Sequence, residues 1–568
     1  MNESARQMSH ETSQHPLLRE PNGLLDRCST WIADRSSPLL VKETRGAIKS
    51  RQFFYTFLVL LLAMVAWSFL GISNSIFYGN ATSGVEQLIG YFWVLAFPLH
   101  IIIPFTAFRS LMREFEDDTL QLVSITSLSS RGIIFGKLGS AALQMVVYLA
   151  ALVPGIAFSY LLRGVDLIQI FSLLAVLIAS SLGLTTLGLL IGSVGRQLFL
   201  RIFAHLVLLA TLAGSFLLFC TFVSGYLTFG ANEIPWEGIY LTISLFFAIS
   251  ILCLETAISC ISFYAENRST NVRLAISFLT FVIVSGVILV ATSAQASSID
   301  FCPTISGLLA HLLAVFGAMM ATEYPVISQR VRRGIPNTFW GESVWGLLLP
   351  GPGRGYLFSV TLIWGWIVGL NLLTPLYDRW NGQAMPDLDD WLSVFLFGVT
   401  NATFATLYVS LAYLFGRFVK TKMPRPAPIF GLLLVIISYV LTWVVSVVLA
   451  IMLAEFLGGD FGSTRELGLA TFFCWPLALE ATFDRSLLPM DYVYFGFNFL
   501  MMMVLGLFCL ISALREIILP QAMVPQRVLD EQKKRKRVVA TQDEETVEEL
   551  FRNRATTSAS QHPTSGEK

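Results

Sequence analysis

The side chains most able to do chemistry crowd into one stretch, Arg109–Lys137, which reads RSLMREFEDDTLQLVSITSLSSRGIIFGK. Arg113, Glu114, Glu116, Asp117 and Asp118 supply a charged face, while Leu111, Phe115, Leu120, Leu122 and Val123 recur at near-helical spacing. An amphipathic helix of that kind is built to meet another protein through charge and to pass force into the elements behind it. It is not built to make or break bonds. A loop that cradles phosphates needs GxxxxGK followed by Ser or Thr, so that backbone N–H groups surround the phosphates and a hydroxyl reaches magnesium. The nearest approach, Gly132-Ile-Ile-Phe-Gly136-Lys137-Leu138, is one residue short and ends on an apolar side chain. It reads as a helix start with Lys137 at the membrane interface. The chain has no HExxH, GxSxG or paired-carboxylate arrangement, so no catalytic residue, metal site or cofactor is expected.

Two isolated groups stand inside apolar runs. Glu255 would cost about 3 kcal/mol as a charge in mid-bilayer, so it must face the bundle interior or a wet cavity. It serves there either as part of a substrate or proton path, or as a structural group paired with Ser or Thr of a neighbouring helix. His100, between Pro98 and Pro104, marks a kinked span, and His205 and His311 read as hydrogen-bonded interior groups. The seven cysteines show no CxxC spacing and read as small buried hydrophobes.

The elements that must hold these residues are membrane helices. Of 568 residues, 55% are hydrophobic and 13% charged, with a mean hydropathy of +0.67; soluble domains carry roughly 25% charge. A soluble fold of this size could not hide so much apolar surface. The runs are too long and continuous for barrel strands, which leaves an all-α, polytopic fold. Twelve spans are predicted, near 53–72, 85–108, 138–162, 167–193, 202–226, 239–265, 273–293, 303–322, 356–375, 391–415, 428–456 and 492–514. The stretch 467–483 reads as interfacial or re-entrant. Alternate loops hold 16 and 4 Lys and Arg residues, so the basic set, both termini included, is expected in the cytoplasm. The first span reads as the insertion signal, because residues 1–37 are polar.

The spans divide into two groups of six near residue 270, with little sign of a repeat. The charged 109–137 loop finds no counterpart between spans ten and eleven, which are joined only by 416–427. Residues 521–568 are charged and read as a disordered tail whose basic cluster, Lys533–Arg537, lies against anionic headgroups rather than nucleic acid. At the other end, Pro38–Gln52 is an amphipathic elbow leading into span one, with Leu39, Leu40, Val41, Ala47 and Ile48 expected to face lipid.

The elbow, the first pair of spans and the acidic segment together resemble the permease of a type-2 ABC exporter. That family carries E-x-E-x-G-T-L-x-L-L, then T-P-L-S, then Gly-Lys, after its second span. Glu114, Glu116, Asp117, Thr119, Leu120, Leu122, Thr126, Leu128, Ser129, Gly136 and Lys137 match this pattern, with Asp118 where Gly is usual and Ser127 where Pro is usual. The resemblance covers about residues 38–270. Arg330–Phe358 is similar to longer members that carry additional C-terminal spans, leaving 271–520 as a second six-span region of unassigned role. The resemblance implies an inner-membrane exporter subunit that is not itself an enzyme. Its partners would be the lipid bilayer, a separate ABC ATPase dimer docking on Arg113, Glu114, Glu116, Asp117, Asp118 and Thr119, and a second permease in a homo- or hetero-dimer. The competing expectations are a gradient-driven secondary transporter, whose class uses inverted repeats and broken helices, and a non-transporting membrane anchor.

Overall fold

A computed structural model describes residues 38–78, 84–117, 129–162, 164–194, 198–229, 236–262, 266–323, 345–383, 387–422 and 489–518, with a few isolated positions elsewhere. Among these residues every regular element is a helix. A short helix α1 (Pro38–Ile48) leads into α2 (Arg51–Tyr78). Then follow α3 (Gly84–Glu116), α4 (Ser130–Leu161), α5 (Leu167–Val194), α6 (Leu198–Phe229) and α7 (Trp236–Ile261). The second group comprises α8 (Thr270–Ser293), α9 (Ser298–Ala321), α10 (Pro352–Trp380), α11 (Leu388–Lys422) and α12 (Pro489–Ile518). Eleven helices, all but α1, contain a stretch of 19 to 33 residues apolar enough to cross a bilayer, so the chain is an integral membrane protein with a polytopic all-α fold. They coincide with eleven of the twelve expected spans. The expected span 428–456, the 467–483 segment and both tails lie outside the described residues.

Two span ends differ from expectation, and both differences bear on the charged segment. Arg109–Glu116 is the last part of α3 rather than a separate surface helix, because Phe108, Leu111 and Met112 continue its buried face. At the other side α4 begins at Ser130, where the Ser129 hydroxyl accepts a hydrogen bond from the Gly132 N–H at 3.2 Å. Only residues 117–129 remain between the two helices.

Tight packing depends on missing side chains. Gly188 and Gly192 of α5 form a GxxxG step against α3, where a Cβ would lie 2.8 Å from the Pro104 carbonyl oxygen and 3.2 Å from that of Phe108. At the same level α3 makes a π-helical turn, Pro98–Ile102. The Ile103 N–H bonds to the Pro98 oxygen and Pro104 has no N–H, so the Leu99 carbonyl loses its helical donor. Ser181 of α5 supplies one at 2.7 Å, as the absence of water in a bilayer demands. Outward faces of α2 and α6 present Phe54, Leu58, Leu62, Val65, Phe69, Phe203 and Leu206.

Candidate functional site

Five ion pairs gather at the end of the bundle that carries the basic loops, near the ends of α3, α7 and α9 and the starts of α4, α6 and α8. At its centre is Lys137, whose side chain is 2% exposed. It contacts Glu114 of α3 at 2.8 Å and Glu43 of α1 at 3.4 Å, and donates to the Ser110 hydroxyl at 3.2 Å. Thus Lys137 lies two turns inside α4, and three elements close around it. Gly136 and Gly139 make the approach of α1 possible. A Cβ at either would sit 3.2 Å from the Leu39 side chain or 2.8 Å from that of Leu40. The elbow's Leu39 and Leu40 therefore pack on α4 instead of facing lipid, while Val41 and Ile48 remain exposed.

The charged face expected of the segment is divided between two uses. Glu114 turns inward to Lys137, and Glu116 meets Arg201 of α6 at 3.3 Å. Arg113 and Asp117 point outward, with Asp117 closing α3. Asp118 and Thr119 lie outside the described residues.

Glu255 has a different setting from the one expected. It stands near the end of α7, where its carboxylate meets Arg131, the second residue of α4, at 3.6 Å. Its partner is therefore a cation at the bundle end, and its neighbours are helices. His100 sits in the π-helical turn, fully buried, with Nε2 2.8 Å from the Ser180 hydroxyl and its ring edge-on to Phe219. Its Nδ1 has no hydrogen-bond partner. His205 and His311 bond the carbonyls of Arg201 and Gly307 one turn back. No group of His, Cys, Asp or Glu suited to a metal occurs among the described residues, and the described cysteines are free thiols.

A second buried cation escaped the sequence reading. Arg273, placed there in a connecting loop, is fully buried in the first turn of α8. It bonds the carbonyls of Leu347, Leu349 and Gly351 at 2.5, 2.6 and 3.3 Å and pairs with Glu323 at 2.7 Å. Glu323 also accepts from the Ser269 hydroxyl and the Gly351 N–H. Ser110, Arg201 and Glu323 were likewise not singled out, since their roles depend on partners far along the chain. Comparison of the chain with family models, characterised proteins and solved structures returned no match. The geometry of this end therefore carries the functional reading by itself.

Proposed function

We propose that the chain is the membrane permease of an ABC exporter, coupled to a separate ATPase at the end that carries the ion pairs. The observation that carries this reading is the Lys137 cluster. It locks the elbow, the end of α3 and the start of α4 into one body, on which residues 117–129 are mounted between two long helices. A push on that connection would move both spans together, which is what coupling to a partner's closure requires. The match of Glu114, Glu116, Thr119, Leu120 and Gly136-Lys137 to the permease pattern supports the same assignment.

The proposal includes orientation. The 16-to-4 excess of Lys and Arg supports an orientation with the ion-pair end and both termini in the cytoplasm. Cysteines introduced at positions 113 and 333 should resist a membrane-impermeant label added to intact cells, and one at 383 should react. Labelling at 113 from outside would reverse the orientation. Coupling is tested with Asp117→Lys and Asp118→Lys, which leave the Lys137 pairs intact. The full chain should accumulate normally yet lose its ATPase on purification, because like charges across an interface cost several kcal/mol. The π-helical turn with buried His100 favours a second reading, a gradient-driven transporter. Transport in vesicles free of any nucleotide-binding subunit would select it.

A further inference from the structure

The second group of helices repeats the packing of the first. In the first group α3 lies along α5, α5 along α7, α4 beside α3 and α5, and α4 also touches α7. Shifted by six spans, the same relations hold in the second: α9 lies along α11, α11 along α12, α10 beside α9 and α11, and α10 also touches α12. The pairing of α2 with α3 has its counterpart in α8 with α9. Every substantial pairing between described helices of the second group has such a match.

Details of chemistry repeat as well. The third span of each group opens on an Arg-Gly pair, Arg131-Gly132 in α4 and Arg354-Gly355 in α10. A glutamate from near the end of the sixth span stands beside each pair. Glu255 meets Arg131 directly. Glu516 sits beside the second pair, with its Oε2 3.0 Å from where a Cβ on Gly353 would stand. The second and third spans of each group also join at the same end of the bundle, through 117–129 and through 322–351. The counterpart of the charged 109–137 segment thus lies between spans eight and nine, not between ten and eleven. The groups meet along α7 and α8, where Gly286 lets Leu241 sit against the α8 backbone.

We infer that residues 271–520 are a second permease unit, so that one chain supplies two equivalent ends and binds two ATPase subunits without a second copy of itself. The inference rests on the proposed function, since it assigns the partner of that reading to both units. Two like units in one polypeptide, each with a linked second and third span at the same face, present the same kind of surface twice. That also gives α8–α12 a role the sequence left open.

The test is the composition of the working complex. The full-length chain, carrying one of two different tags in co-expressing cells, is purified in lipid nanodiscs, and fractions that hydrolyse ATP are weighed by native mass spectrometry. The expected particle holds one 63.0 kDa chain and two nucleotide-binding subunits, and neither tag captures the other. Two chains with two ATPases, or one chain with one, would overturn the inference while leaving the proposed function standing. If no fraction containing the chain hydrolyses ATP, both fall. A second measurement compares Glu255→Gln with Glu516→Gln in the same complex. Equivalent units predict a similar several-fold loss of hydrolysis from each, whereas an unchanged rate in Glu516→Gln alone would make the second unit an accessory.

Discussion

The two units solve one problem, a cation needed inside the bundle end, with different chemistry. In the first unit the cation is Lys137, held by two carboxylates that are each about one-fifth exposed. In the second it is Arg273, fully buried and held by three backbone carbonyls and one carboxylate. An ammonium is a compact point charge that tolerates re-pairing, whereas a guanidinium presents a rigid fork of donors. The lysine therefore ties helices to one another, and the arginine ties the 347–351 segment to the helices. The first arrangement tolerates re-pairing, and the second fixes one geometry.

Substitutions can break this contrast, and the largest effect is expected at Arg273. Arg273→Met should strand the Glu323 carboxylate and three carbonyls, and removing one member of a buried pair costs about 3–5 kcal/mol. The full chain in detergent should show a large fall in unfolding midpoint, with poor yield. Lys137→Met should cost less, about 1.5–3 kcal/mol, because it frees two part-exposed carboxylates and a hydroxyl but no backbone carbonyl. If the two variants lose equal stability, the distinction between the two ties fails.

A smaller effect tests the helix contact behind the tie. Gly188→Ala should cost roughly 1–3 kcal/mol by pushing α5 off the Pro104 carbonyl, seen as a lowered midpoint with normal insertion. A midpoint equal to that of the unsubstituted chain would mean that the GxxxG step is not tight. The smallest change belongs to Glu255→Gln. Its partner Arg131 is 54% exposed, and such pairs contribute about 0–1 kcal/mol. Stability should hardly move, so any loss of coupled hydrolysis reports function rather than folding. Glu255→Lys, which sets two cations together, should be the worse tolerated of the two.

Much of the architecture was legible because bilayer physics is local. A run of apolar residues long enough to cross hydrocarbon must be helical wherever it sits in the chain, and eleven such runs are helices where expected. The kink at His100 was equally readable, since Pro98 and Pro104 each remove a backbone donor. Helix ends were harder. Polar residues such as Glu114, Glu116 and Lys137 look like loop when judged one by one, but here they extend α3 and α4 because each finds a partner across the bundle.

Sequence alone determined that the chain is a membrane protein of many spans and where its charge is concentrated. Tertiary structure alone decided that Lys137 is buried with Glu43 and Glu114, that Arg273 grips the 347–351 turn, that Glu255 meets Arg131, and that the second unit repeats the first. The physical reason is distance along the chain. Lys137 and Glu43 are separated by 94 residues, and Arg273 and Leu349 by 76. Periodicity cannot carry a pairing of that length, because only the packing of the intervening helices brings the two side chains together.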